Sequence, residues 1–210
     1  MRMPDSDSKS KLDADSFIRA ALSESIAVKQ ALCEQSAEVI AAIAIRCADA
    51  IAAGHKLLLC GNGGSAADAQ HLAAELLVRL RPNVDRQALP AIALTLDVST
   101  ITACSNDYGY EALYERMVEA LGQKGDVLIA ITTSGRSANV LRALERARTL
   151  GIHTVGFLGG DGGPALELCD LALVVPSATT SRIQEAHITV GHIAMELVEE
   201  HLRLRAVPRS

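Results

Sequence analysis

The sequence predicts an α/β sandwich around a mostly parallel, five-stranded sheet, and three observations carry that reading. Lys56–Cys60, Ala91–Leu94, Asp126–Ile131, Ile152–Leu158 and Leu171–Val175 are short, nearly continuous apolar runs, as expected of strands buried on both faces. Segments with apolar residues at helical spacing alternate with them, which favours parallel pairing. Two of the runs end in glycine- or hydroxyl-rich loops that open directly into helices, at the ends where open parallel sheets hold ligands.

Composition narrows the function. With 210 residues, one domain with a full core is expected. Apolar residues make up 49% of the chain but occur in runs too short to span a bilayer. A net charge of −5 without a long basic run argues against nucleic acid or anionic membrane as the main partner. Aromatics at 2% also leave no platform for base stacking. Cys33, Cys47, Cys60, Cys104 and Cys169 are scattered without a CxxC pair and read as reduced core residues. Met1–Asp15 is polar and has no apolar signal-peptide region, so a cytoplasmic protein is expected.

Taken in order, residues 1–14 read as a disordered tail. Residues 15–54 read as a pair of helices, Ser16–Cys33 and Gln35–Ala53, closed by Gly54. The second, VIAAIAIRCADAIAA, is apolar around much of its girth and is expected to bury one face on the domain and another on a further helix or a neighbouring subunit. Residues 55–205 form the α/β core, continuous with the helical pair. There Lys56–Cys60 leads into Gly61-Asn62-Gly63-Gly64, where the backbone can turn sharply and approach a ligand. Ser65 is expected to cap the helix that follows. A buried strand, a glycine turn and a helix N-terminus make an anion site. Gly61-x-Gly63-x-x-Ala66 also fits a dinucleotide fingerprint, but that site needs an acidic residue about 20 positions on at the end of the next strand. Arg79, Arg81, Pro82 and Asp85 occupy that region before the next strand begins, which argues against a nicotinamide site.

Next come a Thr-rich segment, Thr95–Cys104, a turn at Ser105–Gly109 and a helix over Glu111–Leu121. After Asp126–Ile131, Thr132-Thr133-Ser134-Gly135-Arg136-Ser137 opens the helix Ala138–Leu150. A cap needs one hydroxyl; four around a glycine suit the oxygens of a terminal phosphate. A final helix, from about Thr180 to Leu204, carries Gln184, Glu185, His187 and His192. At 100° per residue, Gln184 lies about 80° from His192, Glu185 about 20° and His187 about 140°. Geometry therefore leaves Gln184 and Glu185 as rival neighbours of His192. His71 and Glu75, at i and i+4 on the first ligand helix, share a face within reach of the glycine loop, as metal binding or proton transfer would require.

CGNGGSAADAQHLAAE, the SND segment, GDVLIAITTSGRSANVL and RIQEAHITVGH together resemble the sugar isomerase (SIS) family, within it the phosphoheptose isomerases. The resemblance runs from about the second helix to the end of the last. It implies an SIS-type three-layer sandwich and isomerisation of sedoheptulose 7-phosphate to D-glycero-D-manno-heptose 7-phosphate through an enediol. That reaction opens the route to nucleotide-activated heptose for lipopolysaccharide. It further implies a homotetramer with active sites between subunits. Residue by residue, Glu75 resembles the family's catalytic carboxylate and His192 its catalytic histidine. His71, Glu75, Gln184 and His192 resemble the Zn²⁺ site of some members, which favours Gln184 over Glu185; the resemblance allows one Zn²⁺ per subunit without requiring it. Ser65, Thr132, Thr133, Ser134 and Ser137 match the phosphate grip, and Asn62, Gly63, Gly64, Asn106 and Asp107 lie where the sugar is contacted. Ser181 stands where certain relatives carry an aspartate, so no acid–base role is available there. The competing class is a non-catalytic SIS protein, either a phosphosugar-binding regulator or an associate of the replication initiator. Such a protein has no reason to keep Glu75 and His192 together.

Overall fold

The computed structural model describes residues 13–95 and 97–203. It runs α1 (Ala14–Gln35), α2 (Ala37–Ala52), β1 (Leu57–Gly61), α3 (Gly64–Leu77), β2 (Ala91–Ala93) and α4 (Val98–Asp107). A 3₁₀ turn at Tyr110–Ala112 then enters α5 (Leu113–Leu121), followed by β3 (Val127–Thr132), α6 (Ala138–Thr149) and β4 (His153–Gly159). A second 3₁₀ turn, Pro164–Leu168, precedes β5 (Leu171–Val175) and α7 (Thr180–Arg203). Residues 1–12 of the expected tail, and the expected helix end at Leu204, lie outside the described residues. Asp13 and Ala14 do not belong to a tail: the Asp13 carboxylate accepts from Ser16 N at 3.3 Å and caps α1, which begins at Ala14.

The strands form one sheet in the order β2-β1-β3-β4-β5, with every pairing parallel. Alternate residues of each strand point to opposite faces. Leu57, Leu59, Ile129, Ile131 and Phe157 join a core built with α2, α3 and α7, whereas Leu58, Cys60, Leu128 and Ala130 join a second one with α5 and α6. The result is three layers, as expected. Strand order reverses between β1 and β3, so the loops after these two strands flank the crevice where such sheets bind ligands.

Two expectations change. The segment expected to be a turn at Ser105–Gly109 is mostly helix, because Asp97 caps α4 by accepting from Ser99 N and Thr100 N at 3.0 and 3.3 Å, and the helix runs on through Asp107. Only Tyr108 and Gly109 (φ +85°) turn the chain. One side of α2 is used within the subunit, where Ile40, Ile43, Ala44, Cys47 and Ala48 are buried against the core shared with α3 and α7, while Ile45 stays exposed. The unpartnered apolar face lies on α1, where Phe17, Ile18, Leu22 and Ile26 are each more than half exposed. Among the cysteines, Cys47, Cys60 and Cys104 are buried as expected, while Cys33 is exposed. Burial pushes the Cys47 and Cys60 thiols up to about 12. Among the described residues, no helix is long and apolar enough to cross a membrane.

Candidate active site

The site is built from the C-terminal ends of β1 and β3 and from two helices, α3 and α7, that pack side by side. After β1 the chain bends at Gly63 (φ +56°, ψ −121°), which is the N-cap of α3. Ser65 is therefore inside the first turn, not at the cap; its amide donates to Asn62 O at 3.0 Å and its side chain is buried. Gly61 admits no Cβ, since one would lie 2.7 Å from the Ser65 carbonyl oxygen. The loop after β3 turns at Gly135 (φ +64°), where a Cβ would overlap the Gly162 carbonyl.

The hydroxyls of this second loop are arranged around its backbone. Buried Thr132 accepts from Gly135 N at 3.2 Å and lies 3.4 Å from the Ser137 hydroxyl. Ser134 is exposed and accepts from Arg136 N at 3.2 Å, and Thr133 is half-buried. Ser137 occupies the N-cap of α6 without capping it through its side chain, so its hydroxyl is not committed to the helix.

One turn and more along α3, His71 Nε2 lies 3.2 Å from Glu75 Oε1 and 2.8 Å from His192 Nε2 on α7. The three side chains offer two imidazole nitrogens and a carboxylate oxygen within 4.8 Å of one another. This donor set, converging on one point, fits a zinc-type cation. Gly191 allows the approach: a Cβ there would lie 2.7 Å from Leu72 Cδ1, so α7 is closest to α3 one residue before His192. Gln184 and Glu185, the two rivals for His192's neighbour, take different surroundings. Gln184 lies over the start of α3, where a Cβ on Gly64 would come within 2.6 Å of its Nε2. Glu185 turns away to Arg182 at 2.5 Å and to a groove against α1. A helical wheel orders angles about one axis only; which arc meets α3 is fixed by how the two helices pack. His187 does face away from His192, and it is fully buried with Nε2 3.0 Å from Leu158 O.

Asn106 and Asp107 end α4, exposed, with Asn106 Nδ2 donating to Asp107 Oδ1 at 2.8 Å. Asn62 is held by residues the sequence reading did not single out. Its amide pairs reciprocally with that of buried Asn139, both bonds at 2.9 Å, and Tyr110 OH donates to Asn62 Oδ1 at 2.9 Å. Tyr114, buried, donates to Gly61 O. These partners lie 48 to 77 positions away from the glycine loop, and no local spacing signals them. Asp68, one turn before His71, was also missed, although its spacing on α3 could have revealed it. Burial raises its carboxyl above the usual range, with His71 and His192 opposing that shift. One of its oxygens is buried with no hydrogen-bond partner among the described residues.

Comparison with known proteins agrees with this geometry. Residues 22–159 match the family model for the SIS domain. The chain is 54% identical over 192 residues to a phosphoheptose isomerase of Roseiflexus sp. (strain RS-1), covering 90% of this chain and 96% of that one. It is 57% identical over 156 residues to one from a Nitratiruptor species, covering 74% and 82%. Among solved structures, the phosphoheptose isomerase of Neisseria gonorrhoeae superposes with a TM-score of 0.83 at 39% identity, covering 89% of this chain and 98% of that one. The enzyme of Francisella tularensis gives 0.85 at 37% identity, covering 88% and 97%. The chain belongs to the SIS domain family and, within it, to the phosphoheptose isomerases.

Proposed function

We propose that the protein isomerises sedoheptulose 7-phosphate to D-glycero-D-manno-heptose 7-phosphate, the first step toward nucleotide-activated heptose. The observation that carries this reading is the meeting of Glu75, His71 and His192 beside two anion-binding loops. The phosphate is taken by Ser65, Thr132, Thr133, Ser134 and Ser137 at the starts of α3 and α6, where helix dipoles favour an anion. Asn62, Gly63, Gly64, Asn106, Asp107 and Gln184 contact the sugar. Glu75 takes a proton from C1 while His192 gives one to O2, leaving an enediol between C1 and C2. Glu75 then returns the proton to C2, and the O1 hydroxyl proton passes back to His192 as the aldehyde forms. Such proton transfers contribute roughly 10²–10⁴-fold each. A Zn²⁺, where one binds, is held by His71, Glu75, Gln184 and His192 and supplies Lewis-acid polarisation of the substrate oxygens.

The exposed apolar face of α1 supports assembly into a homotetramer through the helical pair 15–54, with active sites between subunits, in the cytoplasm where sugar phosphates are held. NMR of purified protein with sedoheptulose 7-phosphate, with and without chelator, tests the reaction. Appearance of the aldose phosphate is expected. Binding without any change in the sugar spectrum would point instead to a phosphosugar regulator.

A further inference from the structure

The catalytic pair sits on two different helices, α3 and α7, whose Leu72, Leu76, Val190 and Ala194 share one buried core. α3 and α7 run alongside each other in the same direction, close at Gly64 and Gln184 and at Leu72 and Gly191, and just past the end of α3 Leu80 N donates to Glu199 Oε1 at 3.4 Å. Glu75 lies in the last turn of α3, where carbonyls lack amide partners from the helix itself. The segment leaving this helix, residues 78–90, contains no regular element. Its Arg86 folds back on the helix end: Nη2 donates to Glu75 O at 2.7 Å and Nη1 to Leu76 O at 2.8 Å. A guanidinium there suits both the orphan carbonyls and the negative end of the helix dipole.

Arg86 is itself anchored on α7. Its Nε donates at 2.7 Å to Glu199 Oε1, and Arg81 Nε donates at 2.9 Å to Glu199 Oε2. Glu199 is almost wholly buried, at 1% exposure. Burial by itself would raise its carboxyl; Arg86 and Arg81 outweigh that and hold it below the usual range, so it stays a carboxylate. Glu199 follows His192 by seven residues, which returns it to within about 20° of the same side of α7. The guanidinium therefore bridges the backbone of Glu75 to the helix face that carries His192.

We infer that Arg86, seated on Glu199, is a positioning residue that sets the distance between Glu75 and His192. The inference rests on the isomerase reading given above. The pair belongs to the catalytic geometry and not to substrate capture, since the phosphate loops lie at the other end of α3 and at α6. A bidentate fork is required; a lysine keeps the charge but reaches one acceptor at a time.

The test compares steady-state isomerase kinetics of the full-length wild type with Arg86→Gln, Arg86→Lys and Lys56→Met. Lys56→Met removes a different ion pair, with buried Asp126 before the start of β1, and serves as a control for ion-pair loss away from the site. Displacement of a catalytic group by about 1 Å can cost roughly 10²-fold, so Arg86→Gln is expected to lower kcat at least about 10-fold. Its KM is expected to stay within about three-fold of wild type, because uniform binding is untouched. Arg86→Lys is expected to recover part of kcat, and Lys56→Met to lose Tm while keeping kcat. Wild-type kcat in Arg86→Gln overturns the inference, as does a loss of kcat in Lys56→Met matching that of Arg86→Gln. If Arg86→Gln does not fold, Arg86→Lys decides: reduced kcat at unchanged KM supports the positioning role, and wild-type kcat overturns it. A wild-type protein without turnover refutes the isomerase reading itself, before any variant is compared.

Discussion

His187 and His192 are one turn and a half apart on α7, and their surroundings give them opposite characters. His192 meets His71 at 2.8 Å in a partly open site, whereas His187 is buried with Nδ1 lacking a partner among the described residues. Glu75→Gln and His192→Gln keep size and hydrogen bonding but cannot move the protons. Each is expected to lower kcat by at least about 10²-fold with substrate binding retained. The pair is expected to be strongly non-additive, since neither half of the relay works alone. Calorimetric binding with kinetics on the single and double variants checks this, and wild-type turnover in either single variant would exclude the mechanism. Helical angle alone makes His187→Gln a neutral control; burial removes that status. Desolvation lowers the His187 pKa from 6.5 to about 4, opposed by its bond to Leu158 O. The folded pKa is below the unfolded one, so the unfolded chain binds more protons between these values. The contribution of neutral His187 is complete above about pH 6.5 and lost as pH falls toward 4, on the order of 3 kcal/mol in all. Thermal melts from pH 7.5 to 4 should be less steeply pH-dependent in His187→Gln than in wild type. Parallel curves would show that this histidine does not titrate on unfolding.

At the scale of single elements, the loop from Thr132 to Ser137 turns hydroxyls toward the space above β3 because Gly135 takes a conformation closed to other residues and Thr132 ties its amide back. On the proposed reading, Ser134→Ala and Ser137→Ala each remove a bond made to the phosphate in both ground and transition states. KM is therefore expected to rise with kcat largely kept. A bond to a charged acceptor contributes about 1.5–3 kcal/mol, or roughly 10- to 150-fold in affinity. Unchanged affinity for a sugar phosphate in the double variant would place the phosphate elsewhere. The glycine loop after β1 is more rigid than its sequence suggests. Asn139 fastens it to α6, Tyr110 to the 3₁₀ turn before α5, and Tyr114 to α5 itself.

For the whole molecule, the question is what covers α1. Phe17, Ile18 and Leu22 border a groove of about 390 Å³ that Arg182 and Glu185 close from α7. Large apolar side chains exposed in a row mark an interaction surface. If α1 carries the proposed subunit contact, Leu22→Asp combined with Ile26→Asp is expected to lower the oligomeric state and reduce activity, read by light scattering alongside turnover. A wild-type protein that is an active monomer at micromolar concentration would remove the basis for this face as an interface.

The sequence by itself determined the layered architecture, the glycine and hydroxyl loops after β1 and β3, and the His71–Glu75 face. Each of these is written in local periodicity: apolar runs of strand length, glycine and hydroxyl clusters at strand ends, and an i, i+4 spacing that fixes neighbours on one helix. Local patterns could not say which arc of α7 meets α3: the choice of Gln184 over Glu185 rests on resemblance, and folding sets one over Gly64 and the other against Arg182. Nor could they say that α2 buries one side inside the subunit while α1 keeps an exposed apolar row, because apolar girth records how much must be buried and not against what. Asn139 behind Asn62 and Arg86 between Glu75 and Glu199 are likewise tertiary decisions. A side chain that acts on a residue dozens of positions away leaves no spacing to read, and only the folded chain brings the two within hydrogen-bond reach.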